Sequence, residues 1–238
     1  MPNNLKIFYI YIFITVQRAI LISLSTILAS LLCLDVEGAY DKVAHKRLAH
    51  NLRKRRIPDY IINWVLDFLR DRETEVRVGD YSLESSRVYA GIPQGSPISP
   101  ILFLFYSADL LEACENIRLC ISAGGFVDDI NALTYRKSTE ENCCNLAQVY
   151  AKCEQWATRH SSSFDFKKYK LIHFIYMPRR FNINASLALN GKEVLPIDKV
   201  KVLRVILDPA LKWNYHLKII ETRIILQLSA LKSIIGSI

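Results

Sequence analysis

Leu31-Leu32-Cys33-Leu34-Asp35-Val36 sets four apolar side chains directly ahead of an acid. A short apolar run of this kind reads as a buried strand. The carboxylate that follows such a strand sits at the sheet edge, rigidly held yet within reach of solvent. Further along, Gly124-Gly125-Phe126-Val127 leads into a second acidic feature, Asp128-Asp129, read as the turn of a hairpin spanning Leu119–Tyr135. Bringing Asp35 and Asp128 together on neighbouring strands gives hard oxygen ligands of the kind Mg²⁺ prefers, a few carboxylates completed by substrate phosphates. Taken alone, the Asp-Asp dipeptide reads more simply as a solvated turn.

The remaining pattern mixes helices and hairpins. A basic helix is expected over Lys42–Arg56, ended by Pro58. Asp59 is the expected cap of the next helix, with Ile61, Ile62, Val65, Leu66 and Leu69 as its core-facing stripe. Thr74–Val78 and Tyr81–Tyr89 read as a hairpin turned by Gly79-Asp80. A Gly/Pro loop, Ala90–Pro100, feeds an apolar helix over Ile101–Cys114. Ser138 caps a helix ending near His160, and a strand follows at Leu171–Tyr176. Then come a hairpin turned by Asn190-Gly191, a strand at Val200–Leu207 and a helix from about Tyr215. Hairpins dominate the strand connections, which predicts an α+β fold, an antiparallel sheet backed by helices. Trp64, Trp156 and the aromatics of Ile101–Tyr106 lie on apolar helical faces and read as core.

Composition narrows the function classes. The 238 residues are 51% hydrophobic and 23% charged, which excludes wholesale disorder. A net charge of +8 favours a polyanionic partner such as nucleic acid. The two densest basic clusters are Lys42–Arg56 and Lys167–Arg180, which would grip phosphates without reading sequence. Six cysteines without a C-x-x-C pair, and five histidines without metal-site spacing, read as reduced, packed residues of an intracellular protein. Apolar runs at 7–16 and 19–34 are split by Gln17-Arg18. Neither reaches the roughly 20 residues a spanning helix needs, so a membrane anchor is not expected.

Three motifs occur in order: Asp35-Val36-Glu37-Gly38-Ala39-Tyr40-Asp41, Gly91-Ile92-Pro93-Gln94-Gly95-Ser96-Pro97, and Phe126-Val127-Asp128-Asp129. Together they resemble the reverse transcriptase of non-LTR (LINE-type) retrotransposons, from about Leu31 to the C-terminus. The resemblance implies a right-hand polymerase palm over 31–198. It implies a primer-grip segment and the start of a helical thumb over 199–238, and leaves 1–30 as an atypical apolar extension. It implies RNA-directed DNA synthesis, with an RNA template, a DNA primer, deoxynucleoside triphosphates and two Mg²⁺ ions, for which Mn²⁺ can substitute. No small-molecule cofactor is implied. Asp35 and Asp128 match the family's metal-binding acids, and Asp129 the other acid of the pair. Val36 matches the residue whose backbone oxygen contacts metal, and Tyr40 the aromatic that screens the nucleotide 2′ position. Gln94 and Gly95 match residues lining the nucleotide and template site. Lys168 matches a lysine that protonates pyrophosphate.

The chain also departs from that pattern. Phe126 replaces the commoner Tyr, and Arg204 stands where the primer-grip turn usually has Gly. Only 34 residues precede Asp35, with Arg18 their single arginine, so a basic fingers region is not evident. The expectation is little processive synthesis by this chain alone. The alternative is a non-catalytic retrotransposon remnant that at most binds nucleic acid.

Overall fold

The computed structural model describes residues 28–115, 120–175 and 180–235. Most of the apolar extension, including the run at 7–16, lies outside the described residues. Among the described residues no helix is long and apolar enough to cross a membrane.

The chain runs through β1 (Leu28–Glu37), α1 (His45–Lys54), α2 (Asp59–Leu69), β2 (Arg72–Thr74), β3 (Arg77–Val78), β4 (Tyr81–Ser82) and β5 (Ser86–Val88). It continues with α3 (Ser99–Cys114), β6 (Ile121–Phe126), β7 (Asp129–Arg136), α4 (Thr139–Arg159) and β8 (Ser163–Phe164). A 3₁₀ turn at Phe166–Lys168 precedes β9 (Lys170–Phe174). The hairpins β10 (Leu187–Leu189) with β11 (Lys192–Val194) and β12 (Val200–Val202) with β13 (Val205–Leu207) lead to α5 (Asn214–Ile235).

β1 is the centre of the molecule. It pairs antiparallel with β7 along one edge, and with β9 and then β8 along the other; β6 completes the sheet beyond β7. Both faces of β1 are covered. Leu32, Leu34 and Val36 join the core that includes Leu48, Ile62, Phe103, Tyr106 and Leu146 from α1 to α4. Ala29 and Leu31 face the other way, onto Val200, Val202 and Leu207 of the β12–β13 hairpin. A strand buried on both sides needs no polar alternation, which is why its sequence is nearly continuous in apolar residues.

Several boundaries differ from expectation. α1 begins at His45 rather than Lys42, because Gly38–Lys42 forms a turn closed by Lys42 N–H donating to Gly38 O at 2.9 Å. Asp59 is the first helical residue of α2 and makes no side-chain cap; Pro58 holds the cap position. α2 buries Ile62, Val65 and Leu69, while Trp64 is 54% exposed and Ile61 also faces solvent. Trp64 stacks on Phe68 within its own helix instead of entering the core. The single strand expected at Val200–Leu207 is a hairpin turned at Leu203-Arg204, with both residues at positive φ. The Ser138 cap holds, its hydroxyl accepting from Glu141 N–H at 3.1 Å. The described cysteines are free thiols, and Cys114 and Cys153 meet in the core at 3.6 Å between sulfurs.

Candidate active site

The acids assemble because β1 and β7 end together. Their register sets Asp35 opposite Asp129. The β6–β7 turn is Val127-Asp128, one residue earlier than expected, so Asp129 already belongs to the strand. Asp128 thus leads out of the turn, and its carbonyl accepts from Val36 N–H at 2.8 Å, tying the turn to β1. Val127 adopts φ 55, a conformation that a β-branched residue takes only under constraint.

Electrostatics bind the three acids into one system. Burial first, then the charges of Asp128 and Asp35, push the Asp129 carboxyl above the ordinary aspartate value, against the pull of Lys170 and Lys168. Asp129 nevertheless keeps an exposed surface, so the effect is screened. Lys168 Nζ donates to Asp35 Oδ2 at 2.9 Å, and that contact raises the ammonium's own pKa. Its placement depends on Asp165, which sequence reasoning missed. Asp165 N–H donates to Asp35 O at 3.1 Å, while Asp165 Oδ1 accepts from Lys167 N–H at 3.0 Å and starts the 3₁₀ turn. An Asp two residues ahead of a Lys-Lys pair is a cap signal visible in the sequence.

A cleft of about 230 Å³ opens beside these groups, with Asp35, Asp129, Lys167, Lys168, Lys170 and Lys201 in its wall. A larger cavity of about 620 Å³ lies elsewhere, around His173, Ile197 and Pro209, and contains none of the three acids. Among the described residues no group of three His, Cys, Asp or Glu side chains forms a ready-made metal cage. The donor set still suits a hard divalent ion. Two carboxylates oppose each other across strands, a third adjoins them, and the mutual charge that raises Asp129 is what a cation relieves. Asp35, Asp128 and Asp129 are therefore the residues that could hold a Mg²⁺ completed by substrate phosphates.

The second motif docks on the first. Ile92 N–H donates to Tyr40 O and Gly91 N–H to Val43 O, both at 2.8 Å. Gly91 has φ 84, and a Cβ there would meet Asp41 O at 2.8 Å and Tyr40 O at 2.9 Å. This close approach was not singled out from the sequence, although the Gly before Ile-Pro is a turn signal. His45 Nε2 lies 2.7 Å from Gly91 O, and Arg72 donates to the same oxygen at 2.9 Å. Gln94 Nε2 donates to Asp41 Oδ1 at 3.0 Å, so its amide is held toward the first motif. Gly95 has φ 86 with nothing within 4 Å of a notional Cβ, leaving open space at that point of the loop. The Tyr40 ring leans on Phe103 at 5.8 Å, and burial, then the Asp128 charge, raises its hydroxyl pKa. Val36 pairs with Phe164 across β1 and β8.

The basic clusters differ in their freedom. In the first, Lys54 and Arg55 pair with Asp109, Arg55 also with Glu112, and Lys42 with Glu37. These cations hold α1 to α3 and the Gly38 turn to β1. In the second, Lys168 pairs with Asp35, while Lys167 and Lys170 form no ion pair among the described residues; all three line the acidic cleft, where Lys201 joins them, and Arg179 lies outside the described residues.

Comparison with known proteins bears on this arrangement. The family model for reverse transcriptase (RNA-dependent DNA polymerase) matches residues 21–209. The RNA-directed DNA polymerase from the mobile element jockey of Drosophila melanogaster is 26% identical over 191 residues, 79% of this chain and 20% of the relative. The probable RNA-directed DNA polymerase from the transposon X-element of the same organism is 27% identical over 194 residues, 81% of this chain and 21% of the relative. The chain thus spans about a fifth of the length of these relatives. Apo telomerase from Candida tropicalis aligns with a TM-score of 0.51 at 14% identity, over 78% of this chain and 32% of that structure, a likeness of fold alone.

Proposed function

The chain belongs to the reverse transcriptase (RNA-dependent DNA polymerase) family, and from that premise we propose that its acidic sheet edge carries RNA-templated addition of deoxynucleotides to a DNA primer. The observation that carries this reading is the cross-strand pair Asp35–Asp129, with Asp128 in the adjoining turn and Lys168 on Asp35. In the reaction the primer 3′-OH attacks the α-phosphate of a deoxynucleoside triphosphate and pyrophosphate leaves. Asp35, Asp128 and Asp129 would hold Mg²⁺. Two such ions would make the attacking hydroxyl more acidic and neutralise charge at the leaving pyrophosphate.

The other residues bind and position. Lys168 Nζ gives its proton to the departing pyrophosphate. Tyr40, steadied by Phe103, sets its ring against the sugar and excludes a 2′-OH. Gln94 and Gly95 line the nucleotide and template site, the absent side chain at Gly95 leaving the room there. The backbone of Val36, fixed between Asp128 and β8, completes the metal site. Residues 31–198 serve as the palm, and 199–238 as primer grip and the beginning of a thumb. An RNA template and a DNA primer place this work in the nucleus or cytoplasm.

The test is single-nucleotide addition by the 238-residue chain to a DNA primer annealed to RNA, in Mg²⁺ and in Mn²⁺. A primer-plus-one product is expected, reduced at least about 100-fold by Asp35→Asn or Asp129→Asn, as loss of a charge-stabilising group requires. Addition that survives both substitutions overturns the reading. Binding of primed RNA with no addition under any metal supports the non-catalytic alternative instead.

A further inference from the structure

We propose that the Lys168 ammonium is a stand-in for the metal ion on Asp35, so that loading a divalent cation and freeing Lys168 are a single exchange. The inference rests on the metal reading of Asp35 and Asp129 and adds to it an order of events.

Three observations support it. First, Lys168 Nζ occupies Asp35 Oδ2 at 2.9 Å, where a cation would bind, and its other acid, Asp165, is farther away at 4.0 Å. Second, the two partners differ in access. The Asp35 side chain is 15% exposed and that of Lys168 57%, so the ammonium reaches a recessed carboxylate from the solvent side. An ion entering the cleft meets the same oxygen from the same direction. Third, the turn that carries Lys168 is fastened independently of the ammonium, by Asp165 N–H to Asp35 O and Lys167 N–H to Asp165 Oδ1. Lys168 can therefore leave Asp35 without unfolding its support.

Opposed carboxylates across strands repel, so Asp35 and Asp129 need a positive charge whether or not a metal is present. A single, largely exposed ammonium pair is weak and screened by salt, which makes it a replaceable one. Once displaced, Lys168 remains at the cleft wall beside Lys167 and Lys170. The proton donor for pyrophosphate is then released by the ion that makes the chemistry feasible, and held in reserve until that ion arrives.

The experiment measures Lys168 reactivity in the intact chain. Lysines are acetylated briefly with an N-hydroxysuccinimide ester, with and without Mn²⁺, and quantified by peptide mass spectrometry. Mn²⁺ binding is followed in parallel by the loss of its free-ion EPR signal. Lys168 is expected to react at least threefold faster with Mn²⁺ bound, while Lys54, paired with Asp109 away from the cleft, does not change. In Asp35→Asn, Lys168 is expected to react at the fast rate with or without Mn²⁺. Bound Mn²⁺ with an unchanged Lys168 rate overturns this inference and leaves the metal reading standing. Absence of any Mn²⁺ binding overturns both. The comparison within the parent protein does not depend on the variant folding.

Discussion

Among the described residues four hairpins close with two-residue turns, and they fall into two kinds. Asn190-Gly191 has both residues at positive φ and the pair of residues that such a turn favours. Gly79-Asp80 puts glycine at its one positive-φ position. Leu203-Arg204 has the same signature as Asn190-Gly191, φ 44 and 71, with a branched apolar residue and a long cation in place of Asn and Gly. Val127-Asp128 has the signature of Gly79-Asp80 with valine where glycine belongs. Neither matched turn contributes to the wall of the acidic cleft. The mismatched ones flank the acids or that cleft: Val127 precedes Asp128, and Lys201 and Val202 beside Leu203 border the cleft. A left-handed non-glycine residue costs about 1–2 kcal/mol. Within these four hairpins, the local cost falls on the two turns that adjoin the acids or their cleft, and is offset by the surrounding fold.

Substitutions test that contrast, beginning with the largest effect. Gly91, on the loop docked to the Asp35 motif, is a left-handed position that does carry glycine, for a steric reason. Gly91→Ala is expected to lose about 3 kcal/mol in urea unfolding, combining the left-handed penalty with a Cβ forced onto Tyr40 O and Asp41 O. A loss below that of an ordinary surface change would show that the loop is free to move away. In the remote hairpin, Gly191→Val is expected to cost about 2 kcal/mol, all of it conformational, since open space surrounds that position. The double change Leu203→Asn with Arg204→Gly is expected to gain about 1 kcal/mol, raising Tm by about 2–4 °C. Equal stability before and after would erase the distinction between the two kinds of turn.

The smallest effect concerns charge. The Asp129 pKa is raised in the fold, so its protonated form is favoured there. The stability this group contributes is full below the ordinary aspartate value and is lost as pH rises through the raised one. Asp129→Asn is therefore expected to stabilise the chain at pH 7 by about 0.5 kcal/mol after solvent screening, and to give no gain at pH 3.5. Denaturant midpoints at the two pH values measure the difference. A gain that persists in acid would point to packing rather than charge.

How far the sequence could be read follows the same division. β1 and Asp35 are legible because an apolar run ending in an acid has few other readings, and Ser138 and Asn190-Gly191 are legible because their chemistry suits their geometry. The Leu203-Arg204 turn is legible only through the resemblance, which sets a primer-grip turn at Arg204; by their own chemistry neither residue signals a turn, and the apolar alternation on either side continues as if through one strand. The same mismatch displaced the expected Asp-Asp turn by one residue: Val127 hides the true turn position, and the register then sets Asp129 opposite Asp35 with Asp128 in the adjoining turn. Trp64 is misread for a different reason. Its helix packs along Ile62, Val65 and Leu69, and the tryptophan lies outside that stripe. Asp165 offers a local cap signal through its Oδ1 on Lys167 N–H, but its bond to Asp35 O joins backbone groups brought together only by the fold.

The position of β1 also has a consequence for biosynthesis. Its partners along the chain are far downstream, Leu34 with Ile130 and Leu32 with Leu171. At roughly 5–20 residues per second, translation leaves this apolar strand without either neighbour for several seconds, and without both for up to about half a minute. During that interval an unpaired strand with two sticky faces is exposed at the ribosome, and distant pairings of this kind are slow to form. The feature that centres the finished sheet thus makes the nascent chain a natural client for chaperones, and makes slow, cool expression the favourable way to produce it.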